Sequence, residues 1–201
     1  LLYPAQVAEV LAPIAEYPEI QFSLKMRLGW ENASECMVLV ELLNTLRLSR
    51  IALHARTGKQ QYKGHPDLEA FQGFYELCQH PLYYNGDIES LSDIRQILTR
   101  FPLLKGVFIG RGLLSSPLLA KEFKGNETFL PEQRMSIYFA FHEELFSAYS
   151  QVLQGETQLL VKMKTLWEYF LPETDRKLLK RIKKSTRLQQ YTESVKAIFT
   201  S

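Results

Sequence analysis

The chain has 201 residues, of which 46% are hydrophobic and 23% charged, and its formal net charge at pH 7 is +2. This length predicts one large domain or a domain with an appendage, and the composition excludes an intrinsically disordered chain. No apolar run approaches the ~18 residues of a membrane span, and the first residues form no signal-peptide pattern, so no membrane association is expected.

The first part of the chain alternates between helical and strand-like patterns. The predicted helices are 4–15, 34–48, 67–78 and 90–100, and the predicted strands are 22–27, 50–57, 81–88 and 106–112. Alternation with ~25–30 residues per repeat favours parallel βα units, so the expected class is α/β. Four such units fit either a small open sheet or half of a (β/α)8 TIM barrel. The chain starts without an initiator Met, as the interior of a longer protein would, which favours the half barrel.

The pattern changes around 123–131, where glycine, asparagine and proline mark a connection and no strand-like run follows. Helical periodicity then covers 132–154, 157–170, 175–183 and 188–199. We therefore predict two domains: 1–123 as the α/β part and 124–201 as a C-terminal α-helical bundle.

Charge is distributed unevenly between these parts. Residues 1–120 contain 11 Lys and Arg against 12 Asp and Glu, whereas residues 121–201 contain 13 against 10. Seven of the basic residues lie between Arg176 and Arg187, with Lys180 and Lys184 among them. Most lysine-rich helix faces are simply solvated, and contact with an anionic polymer such as nucleic acid is the alternative interpretation.

Polar residues end each predicted strand. Because successive parallel strands place their ends on one side of a sheet, these residues are expected around one pocket: Lys25, His54, Arg56, Asn85, Asp87 and Arg111. Gly86 and Gly110 lie in turns after consecutive strands, where glycine lets backbone amides approach a phosphate. In (β/α)8 barrels the loops after strands 7 and 8 often build a phosphate site. The pocket is thus predicted to suit a phosphate-bearing cofactor.

Other residues have a simpler explanation. A lone strand histidine is usually structural, although His54 stands two residues before Arg56 and beside a lysine strand. Tyr62 lies in the polar loop after the second strand, where either solvation or substrate contact is possible. Cys36 and Cys78 fall on apolar helix patterns, form no CxxC pair, and suggest a reducing cytoplasm. The histidines have no partners at metal-ligand spacing, so no metal is expected.

Four segments together carry a resemblance to a known family. Residues 24–30 read LKMRLGW, 54–57 read HART with QYKG at 61–64, 85–88 read NGDI, and 106–112 read GVFIGRG before Pro117. In this order they resemble the tRNA-dihydrouridine synthases, flavin enzymes that reduce uridines in tRNA. The resemblance covers roughly 1–123, and the helical tail agrees in position with the family's RNA-binding domain.

The resemblance implies an FMN-binding barrel of which this chain supplies strands 5–8, with NADPH as electron donor and tRNA as partner. It implies that Arg56 and Arg27 lie near the uridine or the RNA backbone and that Tyr62 lies near the substrate. It also implies that Lys180 and Lys184 contact the tRNA. The implied flavin contacts are Lys25 and His54, with the ribityl phosphate surrounded by Asn85, Gly86, Asp87, Gly110 and Arg111.

The family's catalytic cysteine belongs to an NxGCP motif upstream of the lysine strand, and this sequence has no such motif. We therefore expect a C-terminal fragment that is inactive alone, with no catalytic residue of its own, from an otherwise monomeric cytoplasmic enzyme. The alternatives are another FMN barrel that acts on a small molecule, such as a dihydroorotate dehydrogenase-like enzyme, and a non-catalytic RNA-binding remnant.

Overall fold

The computed structural model describes residues 2–200, and contacts between residues divide it into two compact units, one ending at Ile109 and the other beginning at Gly110. The first unit alternates helices and strands. Its elements are α1 (Pro4–Leu11), α2 (Pro13–Glu16), β1 (Phe22–Gly29), a 3-10 helix (Ala33–Leu39), α3 (Val40–Thr45), β2 (Leu48–Thr57), α4 (Leu68–Leu77), β3 (Leu82–Asn85), α5 (Leu91–Arg100) and β4 (Gly106–Phe108).

The four strands form one parallel sheet in the order β1-β2-β3-β4. The predicted α/β class with parallel strands is confirmed. Alternate side chains along each strand point to opposite faces. One face is covered by the helices, and its central row runs Met26, Leu53 and Tyr84, which are buried, and Val107, which is half-buried. Phe71 of α4 packs edge-on against the Tyr84 ring at 5.1 Å, which shows how the helices cover this face.

The opposite face carries polar and aromatic side chains, and we call it the open face. Its defining residues are Lys25, Arg27, His54, Tyr83, Asn85 and Phe108. Arg27, His54, Asn85 and Phe108 form one row by backbone register, and Lys25 and Tyr83 lie in the preceding row. Positions two apart share a face of a strand, so Lys25 and Arg27 lie at successive depths on the same side.

Several element boundaries differ from the sequence-based expectation. The helix predicted at 34–48 is a 3-10 helix (Ala33–Leu39) followed by α3 (Val40–Thr45), and the third strand ends at Asn85 rather than at 88. The first helix is interrupted because Pro13 has no backbone N–H, so α1 ends at Leu11 and α2 begins at Pro13. The fourth strand ends at Phe108 rather than at 112. The helix predicted at 90–100 is α5, and a capping box begins it: the Ser90 hydroxyl accepts from the Asp93 N–H and the Asp93 carboxylate accepts from the Ser90 N–H.

The second unit contains helices and no strand among its described residues, 110–200. Its elements are α6 (Arg111–Ser115), α7 (Leu119–Gly125), α8 (Pro131–Val152), α9 (Glu156–Leu166), α10 (Arg176–Lys184) and α11 (Leu188–Phe199). The helices pack around a buried cluster that includes Tyr138, Met163, Trp167, Phe170 and Tyr191. The contacts thus assign α6 and α7 to the helical unit, whereas the functional division into 1–123 and 124–201 stays a prediction.

A hydrogen-bond chain runs through this helical core. Trp167 Nε1–H donates to the Tyr191 hydroxyl at 3.0 Å, so the hydroxyl proton is left to donate to His142 Nε2 at 2.6 Å. His142 Nδ1–H then donates to Glu143 Oε1 at 3.0 Å. Burial lowers the pKa of His142, which agrees with a neutral ring whose Nε2 accepts the Tyr191 hydroxyl proton.

Candidate functional site

The carboxyl end of the sheet brings three of the predicted site residues into one row. Arg27 is the register partner of His54, and His54 is the register partner of Asn85. Lys25 lies one row deeper and is exposed. Of the six residues predicted around one pocket, Lys25, His54 and Asn85 therefore share this face by backbone register, and Arg27 lies with them. The pocket itself and any contact with a cofactor stay predictions.

His54 is nearly enclosed, with 6% of its surface exposed. Burial lowers its pKa to about 4, and the positive charges of Arg27, Lys25 and Arg56 act in the same direction. The imidazole is therefore neutral near pH 7, with one ring nitrogen as donor and the other as acceptor. It can form two hydrogen bonds to a ligand without adding charge to the site.

Arg27 holds the loop that follows β2. Its Nη1 donates to the carbonyl oxygens of Thr57 at 2.8 Å and Gln61 at 3.1 Å, and its guanidinium lies 5.8 Å from the centre of the Tyr62 ring. Tyr62 is exposed, and its ring centre is 6.5 Å from that of His54. Arg27 therefore positions Tyr62 beside the row of site residues.

Arg56 and Asp87 form a bidentate ion pair. Arg56 Nη1 and Nη2 donate to the two carboxylate oxygens at 2.7 and 2.5 Å, and Nη2 also donates to the Gly64 carbonyl at 2.7 Å. The Arg56 side chain is 1% exposed and that of Asp87 is 31% exposed. The pair ties the turn after β3 to the loop after β2. Arg56 Nε is buried and has no hydrogen-bond partner among the described residues.

The turn after β3 has little room for side chains. Asn85 Nδ2–H donates to the Phe108 carbonyl at 2.9 Å, which joins the ends of β3 and β4. A Cβ at Gly86 would overlap the hydroxyl of Tyr84, so a larger residue there would force the buried Tyr84 side chain to shift. Burial raises the pKa of Tyr84 to about 12, and this phenol stays protonated.

The loop after β1 is fixed by one carboxylate. Glu35 Oε2 accepts from the Trp30 N–H at 2.7 Å, and Glu35 Oε1 accepts from the N–H groups of Glu31 and Asn32 at 3.0 and 2.8 Å. The N–H of Asn32 is the largest of the influences that lower the Glu35 pKa, followed by that of Trp30. This carboxylate cap fixes the backbone that presents Trp30.

Gly110 and Arg111 belong to the second unit, where Arg111 is the first residue of the short helix α6. Their predicted place around a phosphate stays a prediction. Lys180 and Lys184 are exposed on α10 and line a groove of about 420 Å³ in this unit, together with Lys177, Arg181, Ser185, Gln190, Glu193 and Ser194. Asp175 is the N-cap of this helix, and its carboxylate accepts from the N–H groups of Lys177 and Leu178.

Comparison with known proteins agrees with the sequence motifs. The family model described as dihydrouridine synthase matches residues 1–200. The chain belongs to the dihydrouridine synthase family. The relative from Aquifex aeolicus, a probable tRNA-dihydrouridine synthase, is 34% identical over 119 residues, which cover 59% of this chain and 36% of the relative. A probable tRNA-dihydrouridine synthase from Rhizobium leguminosarum bv. phaseoli is 35% identical over 100 residues, 49% of this chain and 31% of its own length.

A third relative, tRNA-dihydrouridine synthase B from Vibrio vulnificus, is 26% identical over 136 residues, covering 66% of this chain and 42% of the relative. The chain thus spans between about a third and two fifths of the length of these members of the dihydrouridine synthase family. The family predicted from the four motifs is confirmed.

Two features of the site, an aromatic contact on the open face and the cap formed by Glu35, were not predicted from the sequence. Tyr83 and Phe108 pack edge-on at 5.4 Å on the open face, and the Arg50 guanidinium lies 6.0 Å from the Phe108 ring centre. Register alone would have placed these side chains there, because they alternate with the buried positions of their strands. The cap formed by Glu35 was signalled by its position three residues after Asn32.

Within residues 2–200, no helix has the length and apolarity needed to cross a membrane. The same residues contain no group of three or more His, Cys, Asp or Glu arranged to hold a metal ion.

Proposed function

We propose that the chain supplies strands 5–8 of the FMN-binding barrel of a tRNA-dihydrouridine synthase, followed by a helical tRNA-binding domain at 124–201. The observation that carries this proposal is the open face, where Lys25, Arg27, His54 and Asn85 share one side of a parallel sheet whose other side is covered by helices. A (β/α)8 barrel has the same layout, with helices outside and side chains inside. β1 and β4 are the edges of this sheet, where the remaining strands would pair.

The residues present fit FMN. The open face offers the Lys25 ammonium and the neutral His54 ring. The buried Arg56 Nε–H has no acceptor among residues 2–200, and a ligand oxygen would provide one. Asp87 is already paired with Arg56, so its charge is compensated at a site proposed for a phosphate. We assign Lys25 and His54 to the flavin, and Asn85, Gly86, Asp87, Gly110 and Arg111 to the surroundings of the ribityl phosphate.

The chemistry that FMN supplies when bound is hydride transfer to uracil, with NADPH as the proposed electron donor. The positive charge of Lys25 would favour a reduced, anionic flavin. Arg27 and Arg56 act near the uridine through the loop that carries Tyr62, since both donate to carbonyl oxygens of that loop. Lys180 and Lys184 are proposed to contact tRNA phosphates.

We assign no proton donor to the described residues. Cys36 is fully buried, and burial raises its pKa to about 11, while burial also raises the pKa of Cys78. Neither thiol lies at the carboxyl end of a strand. The chain alone is therefore proposed to be inactive, and a cytoplasmic location stays a prediction that both free cysteines suit.

FMN binding tests this proposal. The chain would be titrated with FMN, alone and mixed with the part of the Aquifex aeolicus relative that lies outside the matched segment, and flavin fluorescence would be followed. We expect weak FMN binding to the chain alone and tighter binding to the mixture, because four strands form only half of the proposed barrel. Lys25→Met should weaken binding in the mixture. Absence of FMN binding in both samples would refute the flavoenzyme proposal.

Binding of tRNA separates the rival functions. A small-molecule FMN enzyme would not need the cationic groove on α10, so salt-sensitive tRNA binding would argue against it. Binding of tRNA without FMN in any sample would instead favour a non-catalytic RNA-binding protein.

A further inference from the structure

Trp30 directly follows β1 at the carboxyl end of the sheet, and 50% of its surface is exposed. Single exposed hydrophobic side chains are common and by themselves carry no function. Trp30 differs because the loop around it is held in place and because the loop after β2, which it contacts, carries exposed basic and aromatic side chains.

Three contacts fix the residue. Its N–H donates to Glu35 Oε2 at 2.7 Å, and its carbonyl accepts from the Lys59 N–H at 2.9 Å. One side of the indole lies against the backbone of Gly58, where an added Cβ would overlap the six-membered ring. The remaining ring surface faces solvent. An ordered aromatic plane loses little conformational entropy when a ligand stacks on it.

The loop after β2, whose Lys59 N–H contacts Trp30, carries basic and aromatic side chains, whereas Glu31 and Glu35 lie in Trp30's own loop. Lys59 is exposed and pairs with Glu31, and Lys63 is exposed in the same loop as Lys59. Tyr62, also exposed in that loop, is held by Arg27. Proteins that bind single-stranded nucleic acid combine such cations with aromatic rings on which bases stack. Unpaired RNA bases in loops are the usual targets of this stacking.

We propose that Trp30 is a stacking platform for an unpaired RNA base adjacent to the target uridine. The inference rests on the proposed function, because it takes RNA as the ligand of this edge of the sheet. The stacked base would hold the RNA loop open next to the open face. Gly58 is then a positioning residue, whose lack of a side chain leaves room for the indole.

Affinity for an unmodified tRNA transcript tests the proposal, measured by tryptophan fluorescence and by an independent filter-binding assay. Stacking should quench the emission of Trp30, whereas the second tryptophan, Trp167, is buried and gives a constant background. Trp30→Ala should weaken tRNA binding by roughly 5- to 150-fold, the equivalent of one stacked base, and Trp30→Phe by less. The salt dependence of binding should not change, because no phosphate contact is removed.

Two more variants make the test specific. Gly58→Ala should displace the indole and weaken tRNA binding while the tryptophan remains. Tyr17→Ala removes an aromatic side chain of similar exposure, 48%, that lies before β1 at the opposite end of the strand, and should leave affinity unchanged. Thermal unfolding of each variant would show whether the fold is intact.

The outcomes separate this inference from the proposed function. Unchanged tRNA affinity in Trp30→Ala, or a loss no larger than in Tyr17→Ala, would overturn the stacking role while leaving the enzyme proposal in place. An equal loss of affinity for fully duplex RNA, which has no free base to stack, would also overturn it, as would unchanged affinity in Gly58→Ala. If the unaltered chain binds no tRNA, the proposed function fails and the inference fails with it.

Discussion

Replacing Asp87 with alanine should destabilise the first unit strongly, because it leaves the buried Arg56 without its ion pair. Arg56 donates to both Asp87 carboxylate oxygens and keeps one other acceptor, the Gly64 carbonyl. Removal of one partner from a buried pair costs about 3 to 5 kcal/mol. The Asp87 side chain is 31% exposed, so water can replace part of the lost contact. We therefore expect Asp87→Ala to lower the free energy of unfolding of the first unit by about 2 to 4 kcal/mol.

Urea unfolding, followed by far-UV circular dichroism and by tryptophan fluorescence, measures this decrease in the free energy of unfolding. The matched control is Glu31→Ala, which breaks the exposed pair with Lys59 and should cost about 1 kcal/mol or less. Arg56→Met in the Asp87→Ala background should recover part of the loss, since the uncompensated charge is then absent. A destabilisation by Asp87→Ala no larger than that by Glu31→Ala would refute the reasoning.

Three further predictions concern acid stability, the helical core and RNA. As the pH falls from 6.5 to about 4, His54 takes up a proton in the unfolded chain but not in the folded one. The free energy of unfolding of the first unit, measured by urea titration, should therefore fall by up to about 3 kcal/mol, and His54→Gln should remove this pH dependence. Tyr191→Phe should lower the unfolding free energy of the second unit by about 2 to 4 kcal/mol in thermal melts, because a buried indole N–H and a buried imidazole nitrogen lose their partner. Replacing Lys180 and Lys184 together by glutamine should reduce the slope of log tRNA affinity against log salt by about 2 in filter-binding assays.

Each of these has an internal control. An acid loss in the first unit that persists in His54→Gln would contradict the assignment to this ring. Tyr169→Phe removes a hydroxyl from a partly exposed tyrosine and should leave the second unit's stability nearly unchanged. Lys121→Gln alters an exposed lysine already paired with Glu127, and a salt slope lowered as much by this change would contradict a specific role for α10.

Local patterns were sufficient to predict most elements of the fold. Strand-like runs located β1 and β2, and helical periodicity located α4 and α5, because these signals depend on residues close in sequence. The end of β4 at Phe108 was not predicted. Apolar Ile109 extends the strand-like pattern, whereas β4 pairs with β3 only as far as Phe108, the register partner of Asn85.

Contacts between distant residues could not be predicted in the same way. Sequence motifs assigned Arg56 to substrate and Asp87 to a phosphate, and nothing in their spacing of 31 residues indicated that they pair with each other. The pairing depends on the register that brings the ends of β2 and β3 together. The contact between Gly58 and the Trp30 ring also joins two different loops and could not be predicted from the sequence. A Cβ at position 58 would overlap this ring.

The ion pair between Arg56 and Asp87 affects which cationic side chain of the open face can bind an anionic ligand. The charge of Arg56 is compensated by Asp87, and Arg27 already donates to two loop carbonyls. Lys25 is exposed on the same face and has no ion-pair partner among the described residues. Lys25 is therefore the residue whose replacement should alter FMN affinity without loss of stability, whereas substitutions at Arg56 or Asp87 would change both and would not identify a ligand contact.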